Sequence, residues 1–325
     1  MRGSGKHLIV VVVAEEAAGV QVLEALRRAP GAPEIAAVVT TTEPARKRRP
    51  VVAEAAARLG LEVREASEAG RSSFAGRLRE RGVDVLVNVH SLVLLDAAAV
   101  AAPRIGSFNL HPGPLPEYAG LNAPSWAIYN GEEKHGVTLH WMDAGIDSGP
   151  IAYQSFFPIE NGETGLSLTG KCVRHGVPLV ARLITDAAQD PSAIQALEQD
   201  RRKRRYFGRE IPNGGTLSWS APAREVVRFV RAADYGPFVS PWGIPRAELR
   251  GRPVGIAKAS VTGERTDEPP GTVGNGRPRG AITVAAGDEW IEVQRIWRDG
   301  RYLRPGEICT TGDRLRDGRG KPLDA

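Results

Sequence analysis

The chain has 325 residues, of which 42% are hydrophobic and 25% are charged, an ordinary composition for a globular protein with room for about two domains. No apolar run approaches the ~18 residues that cross a bilayer, and the formal charge of +5 is mild. Since Cys172 and Cys309 form no C-x-x-C pair, we expect no disulfide framework, no zinc site and a reducing, cytoplasmic compartment.

The first 150 residues alternate short apolar runs with helical stretches. Strands are predicted from His7, Glu34, Leu61, Val83 and Ile105, separated by helices at 16–28, 50–59, 70–82 and 95–101. Apolar strands joined by crossover helices form a mostly parallel sheet covered on both faces, so we predict a Rossmann-like α/β layer. Glu15 and Glu16 follow the first strand where a dinucleotide-binding chain has G-x-G-x-x-G, so NAD binding is not indicated.

The sequence changes character after a predicted helix at about 163–188. We predict a catalytic domain at 1–190, a basic linker at 191–205 and a C-terminal domain at 206–325. Within the last, a helix from Ala223 and short strands from Val254, Ala281 and Trp290 are typical of a small open β-barrel of OB type. The segment from Glu264 is predicted to be a loop, and the last fifteen residues are predicted to be disordered.

The most informative block runs from residue 106 to residue 150. It contains N-x-H at Asn109 and His111, a proline-containing loop ending in Leu-Pro, the tripeptide G-V-T, and Asp147 within G-I-D-S-G. As a set, these elements resemble the folate-dependent formyltransferase family, which includes glycinamide ribonucleotide, methionyl-tRNA and sugar-amine formyltransferases. The resemblance covers roughly residues 5–190 and, more loosely, 206–300.

The resemblance implies transfer of a formyl group from 10-formyltetrahydrofolate to an amine, with Asn109, His111 and Asp147 as catalytic residues. Formyl transfer places negative charge on the former carbonyl oxygen, which the Asn109 amide and a protonated His111 are suited to stabilise. Asp147 beside the imidazole would orient it and favour its charged form. The family precedent gives His111 and Asp147 the proton that the amine loses, directly or through water.

The resemblance also implies where the folate lies. The pterin is expected against the strand end Val93, Leu94 and Leu95 and against the loop Gly113, Pro114, Leu115 and Pro116, with Gly145 and Asp147 closing the other side. No metal is expected, because the histidines and acids lack ligand spacing. Four histidines without a partner at the family spacing are predicted to be structural: His90, His135, His140 and His175.

Two departures from familiar relatives bear on the acceptor. Ala119 stands where many of them have an arginine, and the segment from Thr41 that follows the second strand is compact, which disfavours transfer RNA. The segments from Gly120 and Arg205 are similar to peptide-synthetase modules and sugar-amine formyltransferases. We therefore predict an acceptor of the amino acid, hydroxyornithine or aminosugar type, free or tethered to a carrier protein, in natural product biosynthesis.

Three alternatives stay open: a methionyl-tRNA formyltransferase, a hydrolase that releases formate from 10-formyltetrahydrofolate, and an inert RNA-associated module that uses the barrel. The basic runs at 46–49 and 201–205 are more readily interpreted as solvated charge than as a nucleic-acid site. The oligomeric state is undetermined, because Tyr235, Phe238 and Trp242 fit either a core or an interface.

Overall fold

The computed structural model describes residues 7–29, 31–43, 49–318 and 323. The chain forms two compact units. The first comprises the residues through Gly120 together with His135–Phe157 and Gly170–Tyr206; the second comprises Leu121–Lys134, Pro158–Thr169 and the residues from Phe207 onward. The chain passes between the two units more than once. The predicted division into a domain at 1–190, a linker at 191–205 and a domain at 206–325 stays a prediction.

The N-terminal half is organised around a seven-stranded sheet with the order β3-β2-β1-β4-β5-β7-β8. Its strands are β1 (Ile9–Ala14), β2 (Glu34–Thr40), β3 (Val63–Glu65), β4 (Val85–Val89), β5 (Gly106–His111), β7 (Lys134–Trp141) and β8 (Ile151–Pro158), and a short β6 (Ala119–Gly120) lies outside it. The helices of this half are α1 (Glu16–Arg28), α2 (Val51–Arg58), α3 (Ser73–Glu80), α4 (Ala97–Val100), α5 (Ala123–Asn130) and α6 (Gly165–Gln189). Strands β1 to β5 pair in parallel, and β7 runs antiparallel to β5.

The sheet forms because its central strands are continuous apolar runs that helices cover. All of β4 is buried, and so are Val10 to Ala14 of β1. Helix α1 turns Ala18, Val22 and Leu26 inward, a spacing of four that keeps them on one face. Gly19 lets α1 approach β1 closely, because a Cβ there would lie 2.7 Å from the Ala14 Cβ.

The predicted Rossmann-like sheet is confirmed, with local differences. The helix expected at 70–82 begins at Ser73, after a 3₁₀ turn over Ala66–Gly70, and the helix expected at 95–101 is the single turn α4. None of the helices in the described ranges combines the length and the apolar character that a bilayer span requires. Of the basic run at 46–49, only Arg49 lies within the described residues, where it pairs with Glu54 at 2.8 Å.

The C-terminal half forms an antiparallel sheet that curls on itself. Its order is β12-β13-β14-β11-β10-β16, with β15 beside β14. The elements are β9 (Tyr206–Phe207), α7 (Ala223–Ala232), β10 (Arg246–Leu249), β11 (Arg252–Arg265), β12 (Val273–Gly276), β13 (Ile282–Ala285), β14 (Glu289–Arg298), β15 (Arg301–Leu303) and β16 (Leu315–Asp317). The two edges meet where Val273 N donates to Asp313 O and Leu315 N to Gly271 O, each at 2.8 Å. The predicted small barrel is thus confirmed.

Three expectations for this half need correction or completion. The last fifteen residues are not wholly disordered, because Leu315–Asp317 pair with β10, whereas 319–322, 324 and 325 lie outside the described residues. The segment from Glu264 is partly strand, since β11 extends to Arg265 and β12 follows within it. Trp242 is a core residue, 1% exposed and packed against Trp126. Phe238 is 66% exposed.

Candidate active site

Three neighbouring strands bring polar side chains to one end of the first sheet. In the parallel pairing of β4 with β5, Asn88 stands opposite Asn109; in the antiparallel pairing of β5 with β7, Asn109 stands opposite His140 and His111 opposite Thr138. Side chains directly opposite each other on one face lie close enough to interact. The strand register therefore assembles a polar cluster at the carboxyl ends of the parallel strands, where open α/β sheets bind ligands.

The Asp147 carboxylate lies at the centre of this cluster and is 8% exposed. Its Oδ1 accepts a hydrogen bond from Asn109 Nδ2 at 3.1 Å and lies 3.4 Å from His140 Nε2. Its Oδ2 accepts from Gly120 N at 2.8 Å and lies 3.5 Å from His111 Nδ1. The structure therefore brings the three predicted catalytic residues together around one buried carboxylate.

Burial alone would raise the pKa of the Asp147 carboxyl by disfavouring its charged form. The positive charge of a protonated His111 opposes this effect, and hydrogen bonds from Asn109 Nδ2 and the Gly120 N–H stabilise the ionised form further. Together they hold the pKa of Asp147 well below its usual value. Asp147 is consequently a carboxylate at neutral pH, able to orient an imidazole and to balance its charge.

His111 is 4% exposed, and protein groups contact both of its ring nitrogens. Nε2 lies 2.5 Å from Tyr118 O, and because a carbonyl oxygen only accepts, Nε2 carries a proton there. Nδ1 faces the Asp147 carboxylate. Both ring nitrogens of His111 therefore face protein acceptors, the Tyr118 carbonyl and the Asp147 carboxylate.

The segment that carries Asp147 is a tight loop between β7 and β8. Asp143 Oδ1 accepts from Gly145 N at 3.0 Å and from Ser148 Oγ at 2.8 Å. Asp147 has a φ of 51°, a left-handed conformation that aspartate adopts more readily than most residues. Gly149 is required for close packing, since a Cβ there would lie 2.0 Å from Trp141 O. These constraints fix the direction of the carboxylate.

Two residues of the predicted basic linker hold this loop by its backbone. Gln199 Nε2 donates to Asp147 O at 3.0 Å and to Gly149 O at 2.7 Å. The Arg204 guanidinium donates to Asp147 O at 3.2 Å and to Ile146 O at 2.8 Å. Sequence reasoning missed both contacts, because Arg204 was interpreted only as part of a charge run. This arginine belongs to the frame of the site.

The next residue of the run has a related role. The Arg205 guanidinium lies 4.7 Å from the centre of the Tyr118 ring, within the range of a cation–π interaction. Its backbone N donates to Pro116 O at 3.3 Å, and its carbonyl accepts from Ala119 N at 3.0 Å. By contrast, Arg202 is 90% exposed in its side chain and pairs with the neighbouring Asp200, as a solvated charge would.

The residues predicted to contact folate differ in accessibility. Leu94 is 75% exposed, and Leu92 is equally so. Val93 and Leu95 are partly buried and pack on the core of the sheet. Gly145 is exposed. An exposed leucine pair at the carboxyl end of a strand fits the flat apolar face of a pterin.

The loop Gly113, Pro114, Leu115 and Pro116 is buried throughout. Thr138 Oγ1 donates to Gly113 O at 2.8 Å and accepts from Leu115 N at 3.1 Å, and Gln154 Nε2 donates to Leu115 O at 2.9 Å. These backbone groups already have protein partners. Direct contact of this loop with a ligand stays a prediction, and its observed role is to support the end of β5.

The four histidines predicted to be structural separate into different groups. His140 contacts Asn109 and Asp147. The sequence did not predict these contacts, because the motif does not specify how β7 pairs with β5. His135 Nε2 lies 3.0 Å from Pro112 O, and His175 Nδ1 lies 3.0 Å from Ser155 Oγ. No group of three His, Cys, Asp or Glu in the part of the chain that the structure describes has the arrangement of a metal site.

The fourth, His90, follows β4, and its side chain is 7% exposed. Its Nδ1 lies 4.0 Å from Glu16 Oε2, at the start of α1. Burial, with a smaller contribution from the charge of His111, lowers the pKa of His90 to about 4. His90 is therefore neutral at physiological pH.

Comparison with known proteins gives consistent results for both halves of the chain. The family profile described as "Formyl transferase" matches residues 6–182, and the one described as "Formyl transferase, C-terminal domain" matches residues 211–311. The methionyl-tRNA formyltransferase of Deinococcus radiodurans is 27% identical over 271 residues, which cover 83% of this chain and 81% of that protein.

Solved structures show the same fold at lower identity. An N-formyltransferase from Helicobacter canadensis, solved with folinic acid and dTDP-3-aminofucose, is 19% identical, with a TM-score of 0.66 over 88% of this chain and 98% of its own. WlaRD, a sugar 3N-formyltransferase, is 17% identical, with a TM-score of 0.66 over 89% and 97%. HypX from Aquifex aeolicus, at 15% identity, matches 93% of this chain with 47% of its own length and a TM-score of 0.64.

Proposed function

Because this chain belongs to the formyl transferase family, we propose that it transfers the formyl group of 10-formyltetrahydrofolate to the primary amine of a small or carrier-tethered acceptor. The observation that carries the proposal is the buried Asp147 carboxylate, which Asn109, His111 and the Gly120 N–H surround at the end of the sheet. The family profiles indicate formyl transfer. The cluster contains an amide, an imidazole and a carboxylate, which are the residue types that formyl transfer requires.

In the proposed reaction the donor supplies an electrophilic formyl carbon. The amine nitrogen forms a bond to that carbon, the bond from the carbon to the folate nitrogen breaks, and the amine loses one proton. The Asn109 amide donates to the oxygen that gains negative charge, an interaction typically worth about a hundred- to a thousandfold in rate. His111, oriented by Asp147, takes part in moving the proton that the amine loses to the departing folate nitrogen.

The residues at the mouth of the site fit a folate. Leu92 and Leu94 expose apolar surface in the segment that follows β4, and a pterin combines a flat ring with a hydrogen-bonding edge, which is the combination that such sites bind. In the proposal these residues orient the donor so that its formyl carbon faces Asn109. The Helicobacter canadensis enzyme, which was solved with folinic acid, supports a folate as the donor.

The acceptor is proposed to be a small or carrier-tethered amine, of the amino acid, hydroxyornithine or aminosugar type. Ala119, at a position where many relatives have an arginine, is fully buried in β6, so this residue itself offers no charge to a phosphate backbone. Structural neighbours described as sugar N-formyltransferases favour a small acceptor. The Deinococcus radiodurans relative favours the alternative, a charged initiator transfer RNA.

An acceptor panel tests the proposal. Purified protein is incubated with 10-formyltetrahydrofolate and, separately, amino acids, hydroxyornithine, aminosugar nucleotides, amine-loaded carrier protein or methionyl-tRNA, and formylated product is measured by mass spectrometry. We expect turnover on one of the small or carrier-bound amines. Turnover on methionyl-tRNA alone would establish the alternative, and formate release that needs no amine would identify a hydrolase.

A further inference from the structure

His140 is the side chain of this cluster for which the reaction above has no task. It is 2% exposed and stands opposite Asn109 in the β5–β7 pairing. Its Nδ1 lies 2.7 Å from Trp141 O. Its Nε2 lies 3.0 Å from Asn109 Nδ2, closer than the 3.4 Å that separates it from Asp147 Oδ1.

The orientation of the Asn109 amide follows from groups that have a single hydrogen-bonding role. The Ser91 carbonyl only accepts, so the atom 3.3 Å from it is the Asn88 amide nitrogen. That nitrogen also donates to Asn109 Oδ1 at 2.9 Å. The Asn109 Nδ2 atom is consequently on the opposite side, where it donates to the Asp147 carboxylate.

The protonation of His140 follows from the same reasoning. The Trp141 carbonyl only accepts, so Nδ1 carries the proton. Nε2 faces an amide N–H of Asn109 and must accept from it. Among these contacts only one assignment satisfies every group: a neutral His140 ring with its proton on Nδ1.

We infer that His140 is a positioning residue. Its neutral Nε2 accepts a weak hydrogen bond from one amide proton of Asn109, and this proton becomes available to the reacting oxygen when that oxygen gains negative charge. One Asn109 proton is bound to the Asp147 carboxylate and the other to a neutral imidazole nitrogen. Hydrogen bonds to charged acceptors are about twice as strong as those between neutral groups. A developing oxyanion therefore draws the proton that faces His140 and leaves the Asp147 contact in place.

The competing state shows why the tautomer matters. A proton on Nε2 would face the Asn109 N–H, and the amide would have to turn over to avoid it. The turned amide would place its oxygen against the Asp147 carboxylate and its nitrogen against Asn88 Nδ2, two unfavourable contacts. A neutral His140 thus keeps the donor end of Asn109 in the site.

This inference rests on the proposed function, and its test uses two variants of one residue. His140→Gln retains an acceptor oxygen near the position of Nε2, whereas His140→Leu has a similar volume and no acceptor. We expect His140→Leu to lower kcat by about ten- to a hundredfold with the KM for the folate donor unchanged, and His140→Gln to restore most of the rate. His175→Gln, whose ring contacts Ser155 instead, is the matched control and should behave as wild type.

A second measurement does not depend on activity. In ¹⁵N-histidine-labelled protein at neutral pH, the imidazole nitrogen shifts, assigned by comparison with His140→Gln, should show the Nδ1–H tautomer of His140. An Nε2–H or doubly protonated ring overturns the inference, and so does a His140→Leu enzyme with wild-type kcat. If the proposed function itself fails, no amine is formylated by the wild type, and the tautomer measurement still decides the point.

Discussion

The Asp147 carboxylate faces the His111 imidazole across the end of the sheet, with Oδ2 3.5 Å from Nδ1, while the same oxygen accepts from the Gly120 backbone N–H at 2.8 Å. A backbone hydrogen bond therefore fixes the same carboxylate oxygen that orients the His111 ring. This relationship links the stability of the fold to the chemistry of the site.

Replacing the central carboxylate should make stability less dependent on pH. The pKa of Asp147 is depressed below its usual 3.8, so the ionised group stabilises the fold above that pH, and the contribution declines as the pH falls below it. Asp147→Asn should lower the free energy of unfolding by about 2 kcal/mol at pH 7 and by progressively less below pH 3.8. Urea titrations of both proteins across this range measure the difference, with Asp267→Asn, an exposed carboxyl, as control. A constant difference at every pH would contradict the account.

His90 should make the free energy of unfolding rise with pH in the same way, but over a higher pH range. The pKa of His90 in the folded protein is about 4, below the usual 6.5. Between these pH values His90 is protonated in the unfolded chain and neutral in the folded protein, so the free energy of unfolding rises with pH. His90→Gln cannot titrate and should remove roughly 3 kcal/mol of this rise. The slope of unfolding free energy against pH from 4 to 6.5 is the readout. Equal slopes would show that another group is responsible; Glu16 and His111 are the charged neighbours to examine.

The contact between the basic segment and the loop predicts a contrast between two neighbouring arginines. Arg204→Met removes the donors to Ile146 O and Asp147 O and should lower kcat by about tenfold, because small displacements of catalytic groups slow reactions strongly. Arg202→Met removes an exposed ion pair with Asp200 and should leave kcat unchanged. If both variants lose the same activity, the basic run acts through its charge and not through the loop.

Replacing Leu94 should weaken the binding of the folate donor and leave the rate of the chemical step unchanged. If its exposed side chain covers the pterin, Leu94→Asp forfeits about 1.5–3 kcal/mol of apolar burial, which is roughly a tenfold or greater rise in the KM for 10-formyltetrahydrofolate. Val261→Asp places the same charge at an exposed position of β11 and should leave that KM unchanged. A wild-type KM in Leu94→Asp would remove the leucine from the folate site.

The sequence predicted the parallel sheet, the barrel and the Asn109, His111 and Asp147 set, because each depends on a local pattern or a motif. It did not predict His140, whose position depends on the register of an antiparallel strand. It also missed Gln199 and Arg204, which reach Asp147 from 52 and 57 residues away. Such contacts depend on tertiary packing, and no local pattern near residue 200 encodes their partner.

The expectation of disorder at the C-terminus was wrong for Leu315–Asp317, for a similar reason. Residues 315–317 are a short segment with two charged side chains, and they form a strand because they pair with β10. Contact of the loop at 113–116 with a ligand stays a prediction, and its sequence did not indicate that Thr138 and Gln154 bond its backbone groups. In both cases the partner lies on a distant strand.

The most direct test of the central claim is the rate of formyl transfer from 10-formyltetrahydrofolate to the best amine of the acceptor panel, in wild-type protein and in His111→Ala. The account predicts a fall of about a thousandfold or more, since both charge stabilisation and proton transfer are lost, with the fold retained in thermal melts. Formylation by His111→Ala at the wild-type rate would contradict it.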